Sequence, residues 1–207
     1  MISSGRVAQV TMTTRKALEA DPSFAFDIAD YNKYKPIDGL DSFDIVIHAA
    51  YLQDSNGTSS THFLNNFFAS ISLIESWAEA RTLRSQGGTF IFVSSESTRF
   101  GLKANPLYPC CKAAIHTFMK SCQNKYSKTD LRFNTVSPGY ISDVGMASHS
   151  YENDDVRERR SQMTVAARWT TSSEVANIIA YLALEGSSYI IGQDILIDGG
   201  KSILEQS

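Results

Sequence analysis

Apolar positions along the chain fall into two periods. Short β-branched or aromatic runs, from Val7 to Thr13, Ser23 to Phe26, Phe43 to Ala50, Gly88 to Ser94, Leu131 to Ser137 and Tyr189 to Ile197, read as strands. Between them, apolar residues recur at helical spacing from about Thr61 to Arg84, Pro109 to Tyr126 and Ser172 to Glu185. Pro109 suits a first helical turn, and Ser172 or Ser173 can cap the last helix. Runs such as FDIVIHAA and GTFIFVSS are apolar on both faces, as strands covered by helices on both sides should be. Strands alternating with helices predict an α/β layered fold with a doubly wound, mostly parallel sheet.

The strongly polar block is YENDDVRERR, Tyr151 to Arg160, which follows a Pro-Gly turn. It reads as a solvated helix or a loop. At the carboxyl end of a strand in a doubly wound fold, it is also where a cover over a substrate would sit.

Composition adds exclusions. With 207 residues, 43% of them hydrophobic and 20% charged, and a net charge of -3, the chain can bury a core, and its charge does not draw it to nucleic acid or an acidic membrane. Cys110, Cys111 and Cys122 show neither a disulfide framework nor zinc spacing, and no metal is expected. His48, His62, His116 and His149 lack ligand spacing and read as structural or solvated; Trp77 and Trp169 read as core or interface aromatics. Neither a signal-like apolar start nor an apolar run of membrane-spanning length is visible, so a soluble, cytoplasmic protein is expected.

The candidate chemistry centres on Tyr108 and Lys112, one helical turn apart and therefore on one face of a helix that begins there. An ammonium beside a phenol favours the phenolate and lowers its pKa toward a range useful for proton transfer. Tyr31 and Lys35 repeat the spacing in the polar stretch ADYNKYKP, so spacing alone decides little. Context separates the two pairs: the apolar strand GTFIFVSS ends in Ser94 and Ser95 ahead of Tyr108, so strand end and helix start can converge. A hydroxyl and an acidic phenol aimed at one carbonyl oxygen, with a lysine behind, can protonate a developing alkoxide.

These residues resemble the short-chain dehydrogenases/reductases, in their single-domain branch, over nearly the whole chain. Ser95, Tyr108 and Lys112 fall on that family's catalytic serine, tyrosine and lysine. Asn66 in HFLNNFFASI fits its active-site asparagine through an F-x-x-N pattern, RFNTVSPGYI its strand and Pro-Gly turn, and GQDILIDGG its last strand. The resemblance implies a Rossmann-like fold and interconversion of a carbonyl and an alcohol by hydride transfer. It implies Tyr108 as acid/base, Lys112 as the group that lowers its pKa and holds the nicotinamide ribose, Ser95 as the carbonyl orienter and Asn66 as support for a proton-relay water. Ala49, Ala50, Pro138, Gly139, Ile141 and Asp143 would line the cofactor, with Asp27 and Ile28 at the adenine. The implied partner is a small carbonyl or alcohol, and the implied assembly a homodimer or homotetramer through the two long helices and the last strand.

In VAQVTMTTRK, Thr14 stands where an acidic residue would bind the ribose hydroxyls of NAD, followed by Arg15 and Lys16. Arginine holds phosphate through a charge-assisted fork, which favours NADP over NAD. The chain also departs from the family pattern. MISSGRVAQVTMTTR begins where the family's first helix ends, so its first strand and TGxxxGxG turn are expected to be missing, leaving residues 1–207 as one incomplete Rossmann-type domain. His48-Ala49-Ala50-Tyr51 replaces Asn-Asn-Ala-Gly, with a tyrosine where glycine permits close cofactor approach, and Asp143 takes the place of a threonine. The alternative is therefore a non-catalytic relative that has lost dinucleotide binding and acts through protein contacts.

Overall fold

A computed structural model describes residues 40–51, 60–143 and 151–204. Four strands, β1 (Ile45–His48), β2 (Gly88–Val93), β3 (Leu131–Pro138) and β4 (Asp194–Ile197), pair in parallel in that spatial order. Between them run α1 (Ser60–Leu83), α2 (Leu107–Lys125), α3 (Asp154–Ser161) and α4 (Ser172–Ala183). Parallel neighbours need a long crossover, and each crossover here carries helix. The expected strands Val7 to Thr13 and Ser23 to Phe26, and with them the reversal of strand order in a doubly wound sheet, lie outside the described residues.

Alternation along β2 and β3 builds two cores. Phe90, Phe92, Leu131 and Phe133 join a cluster with Leu73, Ile74 and Trp77 of α1 and Ile115 and Met119 of α2. Ile91 and Val136 point the other way, into a cluster with Val175 and Leu182 of α4. Both faces are covered, which is why these strands read as continuous apolar runs. Trp77 lies edge-on to Phe90 and Phe133 and donates Nε1–H to Phe43 O at 2.9 Å. The same ring explains Gly88, where a Cβ would stand 2.7 Å from Trp77 Cζ2 and 2.8 Å from Asp44 O.

Side chains acting on the backbone correct three expectations from the sequence. β1 is confined to Ile45–His48, with Phe43 O taken by the Trp77 indole instead of a neighbouring strand. The last strand begins at Asp194 rather than Tyr189, because Asn134 stands in for the ladder: its Nδ2 donates to Ile190 O at 2.8 Å and its Oδ1 accepts from Gln193 N at 2.9 Å. The cap of α4 is Thr171, neither Ser172 nor Ser173; Thr171 and Glu174 form a reciprocal capping box. The polar block resolves into α3, capped by Asn153 and followed by Trp169, which packs against Tyr140 and Tyr151.

Candidate active site

The carboxyl ends of the strands bring the predicted residues to one edge of the sheet. After β2 the chain passes through Ser94 and Ser95 into a short 3-10 turn, Glu96–Arg99. Ser95 has extended backbone, and its Oγ accepts from Ser97 N at 3.2 Å and lies 2.9 Å from Ser97 Oγ. The chain then enters α2, where Asn105 Oδ1 accepts the Tyr108 N–H at 3.2 Å and so satisfies one of the first-turn donors. Tyr108 and Lys112 project from one face of that helix and are 9% and 3% exposed.

The Tyr108 phenol lies among the Ser95 hydroxyl, the Cys111 thiol and the Tyr51 ring. Burial pushes that phenol above its ordinary pKa; the Ser95 hydroxyl pulls it down, and the Cys111 thiol adds to the rise. The helical spacing predicts instead that Lys112 lowers it. In the structure Lys112 Nζ donates to Val93 O at 2.8 Å and sits 6.0 Å from the Tyr108 ring centroid, so desolvation decides the direction of the phenol's shift. Burial likewise pushes the Lys112 ammonium down to about 8, against a smaller opposing contribution from Cys111.

Asn66 lies buried on α1, with Nδ2 donating to His62 O at 2.8 Å and its backbone carbonyl accepting from Ser70 Oγ at 2.6 Å. Ser70 Oγ is also 2.7 Å from His48 Nε2 at the end of β1. Because Ser70 donates to Asn66, it accepts from His48, which fixes the histidine as the Nε2–H tautomer. Burial and the nearby Lys112 charge hold that ring neutral, with its pKa pushed down to about 3. Beyond His48, Ala49 and Ala50 are exposed, and the Tyr51 ring meets Tyr108 edge-on at 4.9 Å.

At the end of β3, Gly139 N donates to Ile197 O at 2.8 Å, and Ile141 bridges to Thr170. Asp143, expected to line the cofactor, is turned to α4: its carboxylate accepts from Ser172 N at 2.9 Å and Ser172 Oγ at 2.7 Å, and these bonds hold its pKa below the ordinary value. Arg15, Asp27 and Ile28, and the second Tyr/Lys pair at Tyr31 and Lys35, lie outside the described residues.

Sequence reasoning missed one feature of this edge. Glu96 and Lys201 form a buried ion pair at 2.6 Å that ties the end of β2 to the turn after β4. Lys201 also lies over the Phe100 and Tyr140 rings at 4.4 and 4.5 Å, and a Cβ at Gly139 would stand 3.0 Å from Glu96 Oε2. The hint in the sequence is position: Glu96 follows Ser95, and Lys201 follows the Asp198-Gly199-Gly200 turn. Tyr51, read from the sequence as standing where a glycine would permit close cofactor approach, lays its ring against Lys112 as well as Tyr108. A cavity of about 140 Å³, lined by Glu96, Tyr140, Thr164, Arg168 and Asp198, lies beside the Pro-Gly turn and is touched by neither Tyr108 nor Lys112. Among the described residues no three metal-ligating side chains converge, and no helix is long and apolar enough to cross a membrane.

The parallel sheet with helices on both faces is Rossmann-like, with a serine, a tyrosine and a lysine at its strand ends. Residues 15–202 match the family model described as enoyl-(acyl carrier protein) reductase. The chain belongs to the short-chain dehydrogenase/reductase family. Among curated relatives, a chloroplastic tropinone reductase homolog of Arabidopsis thaliana is 34% identical over 58% of this chain and 37% of its own length. The 3-oxoacyl-[acyl-carrier-protein] reductase MabA of Mycobacterium tuberculosis is 34% identical over 58% of this chain and 47% of its own. The matched stretch thus spans less than half the length of these relatives. A gluconate 5-dehydrogenase from Burkholderia cenocepacia, solved in complex with NADP and tartrate, shares the fold, with a TM-score of 0.74 at 17% identity over 87% of this chain and 75% of that one.

Proposed function

We propose that the chain is part of an NADP-dependent oxidoreductase that interconverts a small carbonyl compound and its alcohol, as a cytoplasmic homodimer or homotetramer. The observation that carries this reading is the placement of Ser95 just past the carboxyl end of β2 and of the buried Tyr108 and Lys112, one turn apart, in the first turns of the helix that follows. A bound nicotinamide supplies or accepts the hydride. Ser95 orients the carbonyl, and Tyr108 gives or takes the proton at the substrate oxygen. Lys112 is assigned to the nicotinamide ribose, and Asn66 to the relay from the α1 side.

A dinucleotide would run along the strand ends. Ala49 and Ala50 present short, exposed side chains past β1, leaving the backbone approachable, and Pro138, Gly139 and Ile141 form the wall at the end of β3. Asp143 supports that wall through Ser172. Arg15 supports NADP by its chemistry as a phosphate fork, with Asp27 and Ile28 assigned to the adenine. Tyr51 is the residue that crowds the site. Its ring against Tyr108 and the burial of Lys112 favour the second reading, a relative that binds no dinucleotide.

Assay of the full-length protein for NADPH oxidation across a panel of ketones and aldehydes separates the two. Turnover that falls by roughly a hundredfold or more in Tyr108→Phe supports the reductase. Full activity in Tyr108→Phe refutes the assigned site, and absence of NADPH binding refutes the first reading in favour of the second.

A further inference from the structure

Lys112 is 3% exposed, and among the described residues its Nζ donates to Val93 O at 2.8 Å. An ammonium carries three N–H bonds, so the rest of its surroundings must offset lost hydration. Those surroundings are aromatic: Nζ lies 4.7 Å from the Phe92 ring centroid, 5.2 Å from Tyr51 and 6.0 Å from Tyr108. The faces of such rings attract a cation, and they do so most where water is excluded. The titratable groups that face it are the Tyr51 and Tyr108 phenols, His48 on β1 and Cys111 on α2. Burial keeps three of these uncharged near neutral pH: the histidine by lowering its pKa, the Tyr108 phenol and the Cys111 thiol by raising theirs.

The three rings differ in how they are held. Phe92 is fully buried in β2 and Tyr108 is anchored on α2, whereas Tyr51 is half-buried on the segment past β1. Of the three, Tyr51 alone stands outside the sheet and the helix. Resting on the dinucleotide reading above, we infer that Tyr51 is a positioning residue for Lys112: its ring stabilises the ammonium when no dinucleotide is bound and covers the face that the ribose hydroxyls would need, so ring and dinucleotide compete for one cation.

Two measurements test this independently. In the full chain without nucleotide, the Lys112 titration is followed by its 13Cε NMR shift in wild type, Tyr51→Phe and Tyr51→Leu. The phenylalanine variant keeps an aromatic face and should titrate as wild type. The leucine variant keeps apolar bulk without that face, and its midpoint should fall by roughly half a pH unit. An unmoved midpoint in Tyr51→Leu overturns the stabilising role. NADPH affinity is then compared in wild type, Tyr51→Phe and Tyr51→Gly. Removing the competing ring should tighten binding roughly tenfold in the glycine variant and leave the phenylalanine variant unchanged. A Tyr51→Gly affinity no better than wild type overturns the competition. If no variant binds NADPH, it is the dinucleotide reading that fails, and the Lys112 titration still decides whether Tyr51 holds the cation.

Discussion

Removing Lys201 should cost far more stability than neutralising its partner, and the cost should depend on pH. In Lys201→Met the Glu96 carboxylate, 7% exposed at the side chain, loses a 2.6 Å charge-assisted hydrogen bond and with it the cation that compensates its charge. Breaking a buried pair from one side costs about 3–5 kcal/mol, because the remaining charge is left uncompensated. Glu96→Gln leaves Lys201 an acceptor and the two aromatic faces at 4.4 and 4.5 Å, so its cost should be about 1–2 kcal/mol. The sign of the pH effect follows from Glu96. Burial raises its folded-state pKa above the ordinary value, while the Lys201 hydrogen bond and charge pull it down. A carboxyl whose folded pKa is raised favours folding below its unfolded pKa and loses that contribution as pH rises through the folded value. Without Lys201 the folded pKa climbs further, so the variant should lose most stability near neutral pH and recover much of it toward pH 4.5, the ordinary carboxyl value. Urea unfolding followed by the fluorescence of the buried Trp77 and Trp169, at two pH values, measures this directly. A loss in Lys201→Met that is equal at both pH values, or smaller than in Glu96→Gln, refutes the reasoning.

Thr171→Ala removes the capping box of α4 and should cost about 1 kcal/mol in the same urea assay, with Thr171→Ser retaining most of the stability. Arg132 donates to Thr89 Oγ1 at 2.7 Å, Ser187 O at 3.0 Å, Ser187 Oγ at 3.1 Å and Leu182 O at 3.1 Å, so Arg132→Met should cost about 3 kcal/mol and speed hydrogen exchange around Ser187. Lys112 has its pKa depressed by burial to about 8; its buried charge opposes folding fully below that value, and the opposition fades as pH rises toward 10.5. Lys112→Met should therefore be more stable than wild type at neutral pH, with the difference shrinking on the alkaline side of 8; a constant difference across that range would contradict the burial argument.

Much of the site is legible in the sequence because its geometry follows from connectivity. A parallel crossover returns the chain to the same edge of the sheet, so a serine ending one strand and a tyrosine opening the next helix are brought together by topology alone. Ser95, Tyr108 and Lys112 can be read that way, as can Pro138 and Gly139 at the end of β3. Asp143 cannot. Nothing in its local sequence indicates that its carboxylate turns to Ser172 rather than outward, because that choice is made by where α4 begins in space. The cap of α4 lies one residue before the expected pair: Thr171, Ser172 and Ser173 are all good caps, and the one three residues before Glu174 closes the reciprocal capping box.

Among the described residues, periodicity by itself determines the order of the four strands and the three longer helices and the two covered faces of the central strands, since each follows from which residues share a side of a strand or helix. Only the tertiary structure decides what surrounds the buried charges. The Glu96–Lys201 pair joins residues 105 positions apart, and the Tyr51 ring reaches Lys112 from a different element. Contacts between side chains so distant along the chain leave no period in the sequence. They also set the site's electrostatics, because desolvation of Tyr108 outweighs the neighbouring charge that helical spacing alone would make dominant.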